Sequence, residues 1–166
     1  FVDKRLYYPR ECSDLRRDYA EPHEKVLMHI SNFRPVKRAQ DVVDIFAKVN
    51  AALPAKLILV GEGPDLPKLQ TKIEAMGLSD RFHFLGNQAD VAQVVSIADL
   101  MLLPSEKESF GLVGLEAMAC GVPTIGSLAG GIPELVRHGV TGYLAPIGDV
   151  DTMADYAISL LQDRKR

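Results

Sequence analysis

The chain has two cysteines, Cys12 and Cys120, no large surplus of charge of either sign, and no apolar run of the roughly 18 residues that a membrane-spanning helix requires. Two thiols without paired spacing exclude a zinc ribbon and a disulfide scaffold, and they read as reduced thiols of a cytoplasmic protein. Nineteen basic and 22 acidic residues in mixed order give a formal net charge of −3. That balance removes any bulk electrostatic case for nucleic acid or an anionic membrane and makes any basic site a local one. No signal peptide precedes the first folded element, so the expectation is a soluble protein. A complete dinucleotide fingerprint is missing as well. In "VGEGPDL" Leu66 stands where G-x-G-x-x-G needs its third glycine, which disfavours ordinary NAD binding and leaves either a tight turn or a place beside a base. There is no internal repeat and no low-complexity tract.

What is present is a chain of 166 residues, 47% hydrophobic and 25% charged, enough for one globular domain with a substantial core. It opens on "FVDKRLYYPREC" without an initiator methionine and closes on "DRKR" within a helical pattern, which reads as a piece of a longer protein. Residues 1–24 are polar and punctuated by proline. They read as an interdomain linker, with the domain itself occupying 25–166.

From Glu24 onward short apolar runs alternate with amphipathic ones. The strands expected are "KVLMHIS" (25–31), "AKLILVG" (55–61), "RFHFLG" (81–86), "DLMLLP" (99–104), "VPTIGS" (122–127) and "GYLAP" (142–146). The helices expected are 36–54, 64–77, 90–98, 110–120, 132–139 and 149–163, the second with proline in its first turn and Gly77 at its end. Strands as short and apolar as "LILV" and "LMLL" suit a parallel sheet covered on both faces. Right-handed crossovers then make a single α/β domain, a doubly wound, Rossmann-like parallel sheet. Ligands of such sheets bind at the carboxyl ends of the strands, which nominates the loops 31–37, 61–65, 86–90, 104–111 and 127–134.

The first loop, "SNFRPVKR", sets Arg34, Lys37 and Arg38 where a strand meets a helix start, whose free amides and dipole favour an anion such as phosphate. The competing reading makes Lys37 and Arg38 solvated residues of the first turn. The loop 104–111 leads into an apolar helix expected from Phe110, where the amides of Ser109, Phe110, Gly111 and Leu112 lack helical partners and face a ligand. Glu108 lies just outside this helix start, and Glu116 lies two turns in, among Leu115, Ala117 and Met118. Two carboxylates spaced along one groove suit an extended polyhydroxylated ligand. They do not converge on a point as metal ligands must, and no His, Cys or Asp supports them, so no metal site is expected. Otherwise Glu116 is a buried carboxylate held by protein groups and Glu108 a surface charge. His29 and His83 read as packed strand residues, His23 as part of the linker, His138 as a helix-end residue, and Cys120 as a small core residue.

"PSEKESFGLVGLEAMACGVPTI" resembles the glutamate-x7-glutamate signature of the retaining glycosyltransferases of GT-B architecture, and "HISNFRPVKR", "LILVGEGP", "FHFLG", "ADLMLLPS" and "GGIPELVRHGVTGYL" extend the likeness over nearly the whole chain. "SNFRPVKR" joined to "SEKESFGL" is most similar to the branch that moves N-acetylglucosamine from UDP-N-acetylglucosamine to L-malate in bacillithiol biosynthesis. The resemblance implies that Glu116 accepts from the ribose hydroxyls and that Glu108 holds a hydroxyl of the donor sugar. It implies that Ser109, Phe110, Gly111 and Leu112 contact sugar and diphosphate through their amides, and that Lys37 binds the diphosphate. Gly61, Gly63, Asn87 and Gln88 would lie beside the uracil. The family's usual arginine falls on Asn32, and Arg34, two residues later, would take its place. Arg34, Lys37 and Glu108 are thus the expected catalytic group. The resemblance further implies anomeric retention without a metal or cofactor, the nucleotide sugar being a substrate. The acceptor would bind an amino-terminal domain outside this chain, so the fragment alone is expected to be inactive. Homo-oligomerisation stays open. The alternatives from other classes are a non-catalytic nucleotide-sugar-binding regulatory module, an NAD-type dinucleotide-binding domain and a nucleotide-sugar epimerase.

Overall fold

The structure is a computed structural model that describes residues 2–108 and 111–163. Six parallel strands, β1 (Lys25–Ile30), β2 (Ala55–Val60), β3 (Phe82–Gly86), β4 (Leu100–Leu103), β5 (Thr124–Ser127) and β6 (Gly142–Ala145), form one sheet in the order β3-β2-β1-β4-β5-β6. The helices that follow the strands in turn are α2 (Ala39–Ala52), α3 (Leu66–Ala75), α4 (Val91–Val95), α5 (Leu112–Ala119), α6 (Ile132–Leu135) and α7 (Val150–Gln162), with α1 (Ser13–Arg17) ahead of the sheet.

Alternation along each strand divides the core between two faces. Leu27, Leu57, Leu59, Leu100 and Leu102 turn to one side, where Val42, Val43, Phe46 and Val49 of α2, Leu69 and Ile73 of α3, and Met153 and Ala157 of α7 cover them. Val26, Met28, Ile58, Val60 and Met101 turn to the other, beneath Val94 and Val95 of α4 and Ala117 and Cys120 of the α5 region. Because both faces are covered, the central strands read as unbroken apolar runs, and all four residues of β4 are buried.

This is the doubly wound sheet the periodicity expects. Its strand order reverses between β1 and β4, and the crevice at their carboxyl ends is the place where such a sheet binds ligands. Three helix starts differ from expectation by two residues or more, α3 opening at Leu66 rather than 64. After β1 the chain makes a 310 turn over Pro35–Lys37, Arg38 adopts the left-handed conformation (φ 52°), and only then does α2 begin. Likewise α5 starts at Leu112, two residues later than 110, because Gly111 is left-handed (φ 61°) and a left-handed residue cannot continue a right-handed helix. The expected site residues Ser109 and Phe110 lie outside the described residues.

The residues before β1 lie against the second face. Tyr7, Leu15, Tyr19 and Ala20 pack on its core. The Arg16 guanidinium donates to the carbonyls of Ile97 (2.7 Å) and Glu24 (2.8 Å) and pairs with Asp99 (2.8 Å). Glu24, 4% exposed, is held by Arg81 at 2.5 Å.

Candidate active site

The loop after β1 is fixed from within by His29. Its Nδ1 lies 2.9 Å from the Leu102 carbonyl of β4, which can only accept, so Nδ1 carries the proton and Nε2 accepts from the Ser31 hydroxyl at 2.9 Å. Ser31 Oγ in turn accepts the Phe33 amide at 3.1 Å. Phe33 is fully buried in the left-handed region (φ 48°), a conformation such a side chain adopts only when its surroundings impose it. His29 meets it edge to face, ring centroids 5.6 Å apart.

Burial lowers the His29 pKa from 6.5 to about 4, so the folded protein holds a neutral imidazole. The sign follows directly. The stabilisation is complete above pH 6.5, and unfolding takes up an extra proton as pH falls from 6.5 towards 4. Chemical denaturation at several pH values is expected to show a loss of about 3 kcal/mol across that window from this group, by the ~1.4 kcal/mol per pKa unit of linkage. His29→Gln, less stable at neutral pH, is expected to lack that increment; an identical pH slope in the variant would refute the assignment.

The glycines of "VGEGP" hold the same loop from outside. A Cβ on Gly61 would overlap the Ser31 carbonyl oxygen, and one on Gly63 would stand 2.6 Å from the Asn32 carbonyl carbon. The Asp65 amide donates to the Phe33 carbonyl at 3.0 Å. The second loop therefore lies backbone to backbone against the first, a contact that only residues without side chains permit. Asn87 and Gln88 follow edge strand β3. Asn87 bonds Glu62 at 3.5 Å, and Gln88 donates to the Leu85 carbonyl at 2.7 Å.

A cleft of about 350 Å³ opens where the strand order reverses, lined by residues that include Ser31, Asn32, Lys37, Lys107, Glu108 and Leu112. Inside it Lys37 Nζ and Glu108 Oε2 are 2.9 Å apart, the side chains only 21% and 16% exposed. The Ser105 hydroxyl donates to the same carboxylate oxygen at 3.4 Å. Ser127 donates to the Ser105 carbonyl, and the Gly131 amide donates to the Glu108 carbonyl at 2.8 Å. Gly130 (φ 51°) lies so close that an added Cβ would stand 2.8 Å from the Glu108 carbonyl carbon.

Glu116 follows Leu112 by one helical turn and is half-buried. Burial raises its pKa, and the neighbouring Tyr7 side chain opposes the rise.

The structure thus brings Asn32, Lys37, Glu108 and Leu112 to one cleft, with Gly111 at its helix start, Glu116 one turn behind and Gly61 and Gly63 bracing the wall. Arg34 caps the 310 turn containing Lys37, its carbonyl accepting the Lys37 amide at 2.9 Å, but its side chain is exposed, outside the cleft lining, and makes no ion pair or hydrogen bond among the described residues. Arg38, expected with it at an anion site, is committed elsewhere: it pairs with Asp41 at 2.6 Å and Glu106 at 3.2 Å, since its left-handed backbone turns it away from the crevice. Sequence reasoning nominated the loop 127–134 but missed Gly130 and Gly131; the doubled glycine after an apolar strand was the available signal. Ser105, Lys107 and Tyr7 were passed over as well, Tyr7 because no local pattern ties it to a helix 109 residues away.

Residues 13–166 match the family described as glycosyl transferases group 1. The chain is 52% identical over 166 residues to the N-acetyl-alpha-D-glucosaminyl L-malate synthase of Bacillus anthracis, covering 99% of this chain and 44% of that protein. It superposes on the crystal structure of Anabaena Alr3699/HepE in complex with UDP and glucose with a TM-score of 0.91, at 32% identity, over 99% of this chain and 46% of that one. It also superposes on the C-terminal domain of a glycosyl transferase group 1 family protein (LpcC) from Francisella tularensis, with a TM-score of 0.88 and 27% identity, over 99% of this chain and 90% of that one. The chain spans under half the length of the first two. By fold and by sequence, it belongs to the group 1 glycosyl transferases.

Proposed function

We propose that this chain is the donor-binding half of a retaining, metal-independent glycosyltransferase that moves N-acetylglucosamine from UDP-N-acetylglucosamine to a small acceptor such as L-malate. Residues 1–24 would lead from an amino-terminal acceptor domain. The observation that carries the reading is the pairing of Lys37 with Glu108 at 2.9 Å in the cleft where the strand order reverses. One cation and one carboxylate side by side suit a ligand with an anionic and a hydroxylated part. Lys37 takes the diphosphate and Glu108 a sugar hydroxyl, each exchanging its partner for the donor.

When the bond from the sugar C1 to the diphosphate oxygen breaks, negative charge grows on the leaving phosphate. Lys37 Nζ stabilises it there, with the unpaired amides at the start of α5 adding their partial charge and Arg34 acting from the rim. Glu108 holds the sugar and is assigned no nucleophilic role. Glu116 accepts from the ribose diol, while Gly61, Gly63, Asn87 and Gln88 border the base.

The test is calorimetric titration of the chain with UDP, UDP-N-acetylglucosamine, GDP and NAD, repeated on Glu116→Ala. Uridine ligands are expected to bind best, and loss of two hydroxyl contacts to a carboxylate, each worth about 1.5 kcal/mol, is expected to weaken UDP by tenfold or more. Preference for NAD, or uridine binding indifferent to Glu116, would overturn the reading. The chain alone is expected to give negligible transfer to L-malate; robust turnover without the acceptor domain would contradict that division of labour.

A further inference from the structure

We infer that Arg38 is a positioning residue of the cleft: its guanidinium clasps the loop after β4 to the loop after β1 and so sets the distance between Lys37 and Glu108. The clasp exists without any ligand, while its role in transfer rests on the reading of Lys37 and Glu108 as the donor-binding pair.

Arg38 stands in the left-handed region (φ 52°), a conformation that costs a residue with a Cβ and costs glycine nothing. A chain that needed only the turn from Pro35–Lys37 into α2 would do best with glycine there. Backbone strain of this kind persists where the surroundings hold it and the side chain is put to use. Here it sends successive side chains opposite ways, Lys37 into the cleft and Arg38 away from it.

On that other side the guanidinium fork is filled in two directions, as its planar set of donors allows. Its Nε donates to Asp41 Oδ2 of α2 at 2.6 Å, and its Nη1 donates to Glu106 Oε2 at 3.2 Å. Asp41 anchors the fork to the helix, and Glu106 is the residue captured from the loop after β4. The Glu106 amide also donates to the Val36 carbonyl at 2.9 Å. Val36 and Arg38 flank Lys37, and Glu106 lies two residues before Glu108. One backbone bond and one side-chain bond therefore frame the 2.9 Å pair of Lys37 and Glu108. The fork has little room to swing, because its Nη2 lies against the turn after β6, only 3.1 Å from where a Cβ on Gly148 would stand. None of Arg38, Asp41 and Glu106 lines the cleft, so the clasp acts through the pair and does not touch what the pair holds.

The first test needs no ligand. Hydrogen exchange of the Glu106 amide, followed by NMR in the wild-type chain and in the variants Glu106→Gln and Arg38→Gly, reports opening between the two loops. Both variants are expected to lower its protection factor about tenfold and to leave the amides of β1 and β2 unmoved. Glu106→Gln leaves the Arg38–Asp41 pair and the backbone intact, and is expected to melt within about 2 °C of wild type. Unchanged protection in Glu106→Gln overturns the clasp.

The second test is steady-state transfer from UDP-N-acetylglucosamine to L-malate by the proposed full-length glycosyltransferase. Each variant is expected to lower kcat about tenfold, short of the ~100-fold that a 1 Å displacement costs, because the bond to Val36 survives, with KM for the donor within about threefold of wild type. The double variant is expected to lose no more than either single one, since both cut the same bond. Losses that multiply in the double variant, or a kcat within about twofold of wild type in Glu106→Gln while Lys37→Gln loses activity, overturn the positioning role. If Lys37→Gln transfers like wild type, or wild type transfers nothing, the reading of the site falls first and the role of Arg38 in transfer with it, whatever the exchange shows.

Discussion

Gly130→Ala is expected to lower kcat/KM of the proposed full-length glycosyltransferase by about 100-fold or more, because on that proposal Glu108 holds the donor sugar and misplacing such a group by about 1 Å costs that much. Gly130 sits at φ 51°, and its new Cβ would lie 2.8 Å from the Glu108 carbonyl carbon and 3.1 Å from the Glu108 nitrogen, closer still to the carbonyl oxygen. Backbone cannot swing aside as a flexible side chain does. Residue 108 or residue 130 must shift, and with either shift goes the 2.8 Å bond from the Gly131 amide to the Glu108 carbonyl. The carboxylate then leaves Lys37. A left-handed alanine costs a further ~1–2 kcal/mol of stability by itself. Gly77→Ala separates the two effects, since Gly77 has φ 69° and nothing within 4 Å of an added Cβ. That control is expected to lose the same ~1–2 kcal/mol in denaturation and keep full activity. If Gly130→Ala is folded and turns over within about twofold of wild type, the coupling between loop 127–134 and Glu108 is wrong.

Lys37→Gln is expected to cost about 100- to 1,000-fold in kcat, as removal of a group aimed at developing charge does. The side chain is only 21% exposed, and its partner Glu108 16%, so the interaction operates in a partly dry site. Without Lys37, Glu108 keeps the Ser105 hydroxyl at 3.4 Å as its partner among the described side chains, and the uncompensated carboxylate repels a diphosphate. KM for the nucleotide sugar should therefore rise as kcat falls. Arg34→Gln is the comparison. Exposed, outside the cleft lining and open to solvent screening, it is expected to cost about tenfold and to lose most of that difference at high salt. Steady-state kinetics of both variants at low and high ionic strength decide the matter. Equal losses would place the two cations on the phosphate together, and a larger loss for Arg34→Gln would reverse their roles.

The sequence by itself determined the layers of the fold. Runs such as "LILV" and "LMLL" can only be satisfied by burial on two sides, so the parallel sheet, the six strands and the crevice at their carboxyl ends follow from local pattern. Lys37 and Glu108 were legible as members of one site because each lies just beyond an apolar strand. What local pattern left out is backbone that turns against its own period. Nothing in "SFGLVG" announces that Gly111 is left-handed and delays the helix to Leu112, and nothing in "PVKRAQ" announces that Arg38 turns back to Asp41 and Glu106. Tertiary structure alone decided the contacts made across the chain: Gly61 and Gly63 against Ser31 and Asn32, Gly130 against Glu108, and His29 against Leu102. Each joins residues whose separation is set by strand order and loop path, so its energy appears only once the sheet has brought them together, and no window of sequence contains both partners.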